Sequence, residues 1–408
     1  MPVRTLLFDL DDTLLGNSLD TFLPAYITSL AAHLAGTLRV PPQTLANELV
    51  AGAQAMFANV DPGRTLEQAF ADHFYPATHL QPESVLPRIE SYYADEFGAL
   101  RSGTTEIPEA RAMMQWAFHS GLEVAIATNA FFPRSAVLQR LHWAGIGIGE
   151  FPYSLVTTYE FMHFAKPRPE YFAETLTWLD RRADEALVIG NDWSQDMAPA
   201  QAIGLNSYWI APRTAQPPSE DYSLLAGQGT LADFFKWARD SNCLDSLPAH
   251  PATPRAVRAQ QAASLAVLQT VAAGLTEKQW RRRPADDEWS ATEIMCHLRD
   301  VEVEVNQPRL IRIVADSNPF ISAVDSDPWA VERHYQTQSG PEALAAFADA
   351  RRATLSMLDL LSPADWERPA RHAIFGPTTA QELLTFTNEH DRLHLRQMRE
   401  NLKPEVGG

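Results

Sequence analysis

The sequence predicts an α/β domain with a doubly wound parallel sheet and an all-helical cap, followed by an all-α four-helix bundle. Three observations carry this reading. Short apolar runs alternate with helical patterns through the first 246 residues. A purely helical stretch is inserted just after the first run. From residue 247 onward only long segments with helical spacing remain, behind a proline-rich join.

The elements follow in chain order. The runs "TLLFDL" (5–10), "LEVAIAT" (122–128), "ALVIG" (186–190) and "SYWIA" (207–211) fit parallel strands buried on both faces. Between them "PEARAMMQWAFHS", "PRSAVLQRLHWAG" and "PEYFAETLTWLDRR" have helical spacing. A sheet of this kind gathers its active site at the C-terminal ends of its strands. Residues 16–104 hold three or four amphipathic helices and no strand pattern, so they form a cap above that edge, on a core of 1–15 and 105–246. In "CLDSLPAHPATP", Pro248, Pro251 and Pro254 break any periodicity. The boundary is therefore expected near 246–253, dividing the chain into 1–246 and 247–408. Four apolar-periodic segments then follow, and two begin with capping boxes, Ser290 with Glu293 and Thr379 with Glu382.

Composition excludes several classes. Residues 1–246 hold 29 Asp and Glu against 15 Lys and Arg, and residues 247–408 hold 22 against 18. With no basic block, a nucleic-acid partner is not expected. No run reaches the roughly 18 apolar residues of a membrane span. The opening "MPVRTLLFDLDD" places acids where a signal peptide would have its apolar core. Cys243 and Cys296 are the only cysteines, which argues for a reducing compartment. The expectation is a soluble, cytoplasmic protein with no membrane partner.

Four motifs fall at or just past strand ends. They are Asp9-Leu10-Asp11-Asp12-Thr13, Thr128-Asn129, Lys166-Pro167 before a helix, and Gly190-Asn191-Asp192-Trp193-Ser194-Gln195-Asp196. Carboxylates gathered at one strand end repel one another unless a divalent cation neutralises them, and Mg²⁺ favours oxygen ligands with substrate phosphate. In this order, with a helical insertion after the first, the motifs resemble the haloacid dehalogenase-like superfamily with a helical cap, over about residues 3–240. The resemblance implies Asp9 as nucleophile forming an aspartyl-phosphate and Asp11 as general acid and then base. It implies Thr128, Asn129 and Lys166 as holders of the phosphoryl group. Mg²⁺ would be held by Asp9, the Asp11 carbonyl and a carboxylate of the last motif, Asp192 before Asp196. Many relatives carry an aspartate where Asn191 stands.

In the second half, His297 lies among Ile294, Met295, Leu298 and Val301, while His390 and His394 share one helix face four residues apart. One histidine from one helix and a pair from another can converge inside a bundle, leaving positions for water. "EWSATEIMCHLRDVE", "AIFGPTTAQELL" and "EHDRLHLRQM" resemble the DinB-like superfamily of metal-binding bundles, over about 254–402. The resemblance implies a three-histidine site for Zn²⁺, Ni²⁺ or a similar ion. His334 and His372 stand outside it. Glu293 and Asp300, one turn either side of His297, are candidate partners for its ring, and Trp289 and Trp366 are expected to fill the core or anchor helix ends. Three accounts of the whole chain follow. The first is a phosphatase for a small phosphorylated metabolite with an appended metal-binding bundle. The second makes the bundle the main catalyst, a metal-assisted, thiol-dependent transferase or isomerase. The third makes it a homodimerisation module.

Overall fold

The computed structural model describes residues 3–218 and 223–403. The chain folds as two compact units, Met1–Pro251 and Ala252–Gly408.

The first unit is built on a six-stranded parallel sheet. Its strand order is Leu155–Val156, Glu123–Ile126, Thr5–Phe8, Ala186–Gly190, Asn206–Ile210 and Leu225–Gly229. Thr5–Phe8 is buried at every position because it is paired on both edges, with Leu6 opposite Val124 on one side and Leu187 on the other. The chain leaves this strand for one side and later returns to the other. That reversal opens a crevice at the carboxyl end of the strand, where Asp9 follows Phe8. The two outer strands lie outside the four apolar runs. Leu155–Val156 is too short to show a period, and Leu225–Gly229 carries two glycines. Gly227 is needed there, since a Cβ would meet the Tyr208 ring at 2.6 Å.

The insertion folds as expected, into Leu19–Leu38, Pro42–Ala58, Leu66–Thr78 and Pro82–Asp95, then a 3₁₀ turn at Phe97–Gly103. A two-residue antiparallel ribbon, Leu15–Gly16 with Thr105–Glu106, ties its beginning to its end. The cap is anchored to the loop that leads to Lys166. Leu66 N–H donates to the Met162 carbonyl (2.8 Å), Glu67 N–H to that of Tyr159 (2.9 Å), and Asn59 Nδ2 to that of His163 (2.9 Å).

The second unit has four long helical segments. They are Pro254–Ala272, then Ala291–Val301 running through a π turn at Glu302–Asn306 into Gln307–Ala315, then Gly340–Asp359 and Ala380–Leu402. Both expected capping boxes are present, with Ser290 and Thr379 accepting from the N–H of Glu293 and Glu382. One expectation is corrected: this half is not helical throughout. Phe320–Ile321, Pro369–His372 and Gly376–Thr379 form a small sheet whose buried Ala370 and Ile321 pack with Ile313, Ala380 and Leu383. Strands of two to four residues around a turn at Gly376 (φ 75°) are too brief to read from spacing. Among the described residues no helix is long and apolar enough to cross a membrane.

Candidate active site and metal centre

The parallel ladder continues one residue past the first strand. Asp9 N–H donates to the Ile189 carbonyl (2.9 Å) and Ala127 N–H to that of Phe8 (2.7 Å). The ladder brings the ends of three strands to one point. Lys166 Nζ lies there, 2.8 Å from Asp9 Oδ1 and 2.5 Å from Asp196 Oδ1, with Lys166 and Asp196 each only 1% exposed. Asp196 reaches the strand end because Gly190 has no Cβ; one would sit 2.3 Å from Asp196 Oδ2. Burial pushes the Asp9 carboxyl up to about 7, with Lys166 opposing and Asp196 and Asp11 adding to it. Burial lowers Lys166, but Asp196 and Asp9 more than offset this and leave it raised.

Asp192 and Asp196 are placed differently. Asp192 is exposed, and its Oδ1 caps the following turn by accepting from Ser194 N (2.7 Å), Ser194 Oγ (2.7 Å) and Gln195 N (3.0 Å). Asp196 is the carboxylate beside Asp9. Asn191 also faces inward, its Oδ1 accepting from Thr13 Oγ1 at 3.3 Å. Asp12 serves the turn alone, at φ 52°, accepting from Asn17 N at 2.8 Å.

Asp11 is held by two groups that carry no motif. Asn17 Nδ2 donates to Asp11 Oδ1 (2.6 Å), and the fully buried Arg140, from the helix Arg134–Trp143, donates to the same oxygen. Arg140 lies against the Phe132 ring and keeps Nε and Nη1 without a partner among the described residues. Asn129 Nδ2 donates to Gln195 Oε1 (3.2 Å), and its Oδ1 accepts from Lys166 N (3.2 Å). The Thr128 carbonyl accepts from Thr157 Oγ1 and Tyr171 Oη, both at 2.7 Å. Behind Lys166, buried Glu174 accepts from the N–H groups of His163 and Phe164 and lies 2.7 Å from His163 Nδ1. Three buried carboxylates thus face two cations. This hard, under-neutralised oxygen set suits Mg²⁺.

In the bundle, His297 meets His390 and His394 with one ligand atom of each within 4.8 Å of the others. His390 Nε2 is 3.1 Å from His297 Nε2 and 3.2 Å from His394 Nε2. A ring nitrogen carries either one hydrogen or one lone pair, so at most one of these contacts is a hydrogen bond. A metal ion would satisfy all three. Burial, aided by neighbouring charge, lowers His297 to about 3 and His390 and His394 to about 4, leaving neutral rings. Nearby, buried Arg351 bonds both Glu302 (2.8 and 2.9 Å) and Asp391 (2.5 Å). Arg351 thereby ties the π turn to the helix that carries His390 and His394.

Two expectations here are corrected. Glu293 is turned to Arg283 and its own cap, and Asp300 to Arg299, Arg333 and Tyr335, while His297 Nδ1 stays buried without a partner among the described residues. Helical spacing set both acids one turn from His297, but stronger cationic partners took them. Trp289 is half-buried, and its ring lies parallel to His394 (8°) with centroids 5.8 Å apart. Trp366 does fill the core, with Val257, Leu310, Leu358 and Leu384. Cys296 adjoins His297 in sequence, but burial pushes its thiol up to about 11 and it donates weakly to Gln338.

Residues 3–204 match haloacid dehalogenase-like hydrolases, and residues 260–398 match the DinB superfamily. An uncharacterised protein, YuaE of Bacillus subtilis (strain 168), is 23% identical over 138 residues, covering 31% of this chain and 85% of its own. Ribulose-1,5-bisphosphate 5-phosphatase of Halopiger xanaduensis is 29% identical over 114 residues, 28% of this chain. The match spans only 46% of that relative's length. The crystal structure of a HAD phosphatase from Thermococcus onnurineus is 18% identical with a TM-score of 0.37, covering 57% of this chain and 97% of that one.

Proposed function

We propose that this chain, a haloacid dehalogenase-like hydrolase domain joined to a DinB superfamily domain, is a Mg²⁺-dependent phosphatase for a small phosphorylated metabolite. The observation that carries the reading is Lys166 Nζ seated between Asp9 and Asp196 at the strand ends. Asp9, the Asp11 carbonyl and Asp196 would hold Mg²⁺, which when bound neutralises the carboxylates and the incoming phosphate. An Asp9 oxygen attacks phosphorus while Asp11 gives its proton to the departing alcohol oxygen. Asp11 then takes a proton from water, whose oxygen attacks the aspartyl-phosphate, releasing phosphate and restoring Asp9. Lys166 and the donors at Thr128 and Asn129 steady the phosphoryl oxygens throughout. Arg140 and Asn17 fix the carboxylate of Asp11 for both proton transfers.

The four helices inserted after the first strand, read as a cover over the crevice, favour a small substrate. The similar Halopiger protein is named for a phosphorylated sugar, so sugar phosphates head the panel to be screened. The protein is expected to release phosphate with Mg²⁺, to stop with EDTA, and to lose turnover in Asp9→Asn with its fold intact. Wild-type turnover in that variant would sink the assignment.

The bundle is read as a second metal site, for Zn²⁺, Ni²⁺ or a similar ion on His297, His390 and His394. Its main-catalyst alternative is favoured by one observation, that His390 lines two cavities at once. Phosphate release unchanged by His394→Ala separates the two activities.

A further inference from the structure

His390 stands on the wall of an open, polar cleft of about 680 Å³ and also of a mainly apolar pocket of about 270 Å³ inside the bundle. The pocket is walled by residues such as Leu310, Ile313, Leu383 and Phe386. Mostly apolar walls with a few polar groups set among them are the usual make-up of a small-molecule site. Its rim is unusual for a water-facing surface, with Ile374 71%, Phe375 46% and Phe386 43% exposed. His372, Phe375 and Phe386 stack in sequence, with centroids 4.6 Å and then 4.0 Å apart.

Two polar groups in this apolar wall lack what they would be expected to have. Arg309 lines the pocket half-buried, donates to the Ser322 carbonyl (3.0 Å), and is paired with no carboxylate among the described residues. His372 is 4% exposed; its Nδ1 accepts from the N–H groups of Ile374 and Phe375, which fixes the hydrogen on Nε2, and Nε2 has no partner among the described residues. A half-buried guanidinium and an unpaired N–H in one apolar chamber are costly unless an anion completes them.

We propose that this pocket binds a small carboxylate with an apolar body. The carboxylate is held by Arg309 and His372 Nε2, the body lies on the leucine, isoleucine and phenylalanine walls, and the other end is presented to His390. The last feature rests on the metal reading of the three histidines. The binding itself does not, which is why it is measured with and without metal.

The test is calorimetric titration of the full chain with a panel of carboxylates, 4-phenylbutanoate and octanoate among them, against the matching alcohols. The acids are expected to bind at least tenfold more tightly than the alcohols, in Zn²⁺-loaded and chelator-treated protein alike. Arg309→Gln should erase that preference and Arg309→Lys should keep part of it. His372→Phe, which preserves the stacking ring, should weaken the acids and leave the alcohols unchanged. Equal affinity for acid and alcohol, or an undiminished preference in Arg309→Gln, would overturn the proposal. So would a dimer split by Ile374→Asp in protein that binds no acid, because the apolar rim would then be a contact between copies.

Discussion

Buried charge decides which side chains can act, and the two acids of the last motif illustrate it. Asp196 is buried beside Asp9, whereas Asp192 is exposed with one oxygen committed to a cap. Asp196→Asn should therefore weaken Mg²⁺ binding by at least about 10- to 100-fold, the loss that follows removal of a group that merely supports a ligand. Asp192→Asn should cost far less, because an asparagine oxygen still caps a helix well. Equal losses, measured by Mg²⁺ titration of turnover, would return Asp192 to the site. In the bundle, His394→Ala should sharply weaken binding of a single Zn²⁺ or Ni²⁺, read by equilibrium dialysis, while His334→Ala should leave it unchanged.

Elements reach the site through buried connections that are not themselves chemical. The segment carrying Lys166 hangs from Glu174 in the helix Pro169–Leu179. Glu174→Gln keeps the volume but replaces an all-acceptor group, so one or more buried donors lose a partner. About 2 kcal/mol of stability should be lost in urea unfolding, with a fall in kcat as Lys166 loosens. In the bundle, Arg351 joins the π turn to the last helix through Glu302 and Asp391. Removing it with Arg351→Met strands two buried carboxylates and should cost about 3–5 kcal/mol, seen as a lower Tm of the bundle. A change under about 1 kcal/mol would show that water already reaches both acids.

At the scale of the whole molecule, the two units have separate cores and separate donor chemistry. Fragments 1–251 and 252–408 are each expected to unfold cooperatively alone, since each is long enough for its own core. Zn²⁺ at a hundred times its Kd should stabilise the second by about 2.7 kcal/mol and leave the first unmoved. A chelator should reverse that shift. Failure of either half to fold would mean that the boundary cuts a shared core.

Much of this protein is set locally and so is legible in its residues. Apolar runs mark the four inner strands, prolines mark the join, and Ser290 and Thr379 mark helix starts, because each acts through its own neighbours in the chain. The aspartates, Lys166 and the three histidines stand out as candidates for the same reason. Other features depend on groups far apart in sequence. Arg140 meets Asp11 across 129 positions and Arg351 meets Asp391 across 40, and neither arginine has a local pattern to reveal it. The small sheet in the bundle and the unpaired nitrogen of His372 are likewise products of packing. Which of Asp192 and Asp196 stands beside Asp9 was also a tertiary decision, made by the absence of a Cβ on Gly190. Local sequence chooses elements and supplies reactive groups, but burial and pairing, which are sums over distant neighbours, decide which of those groups meet.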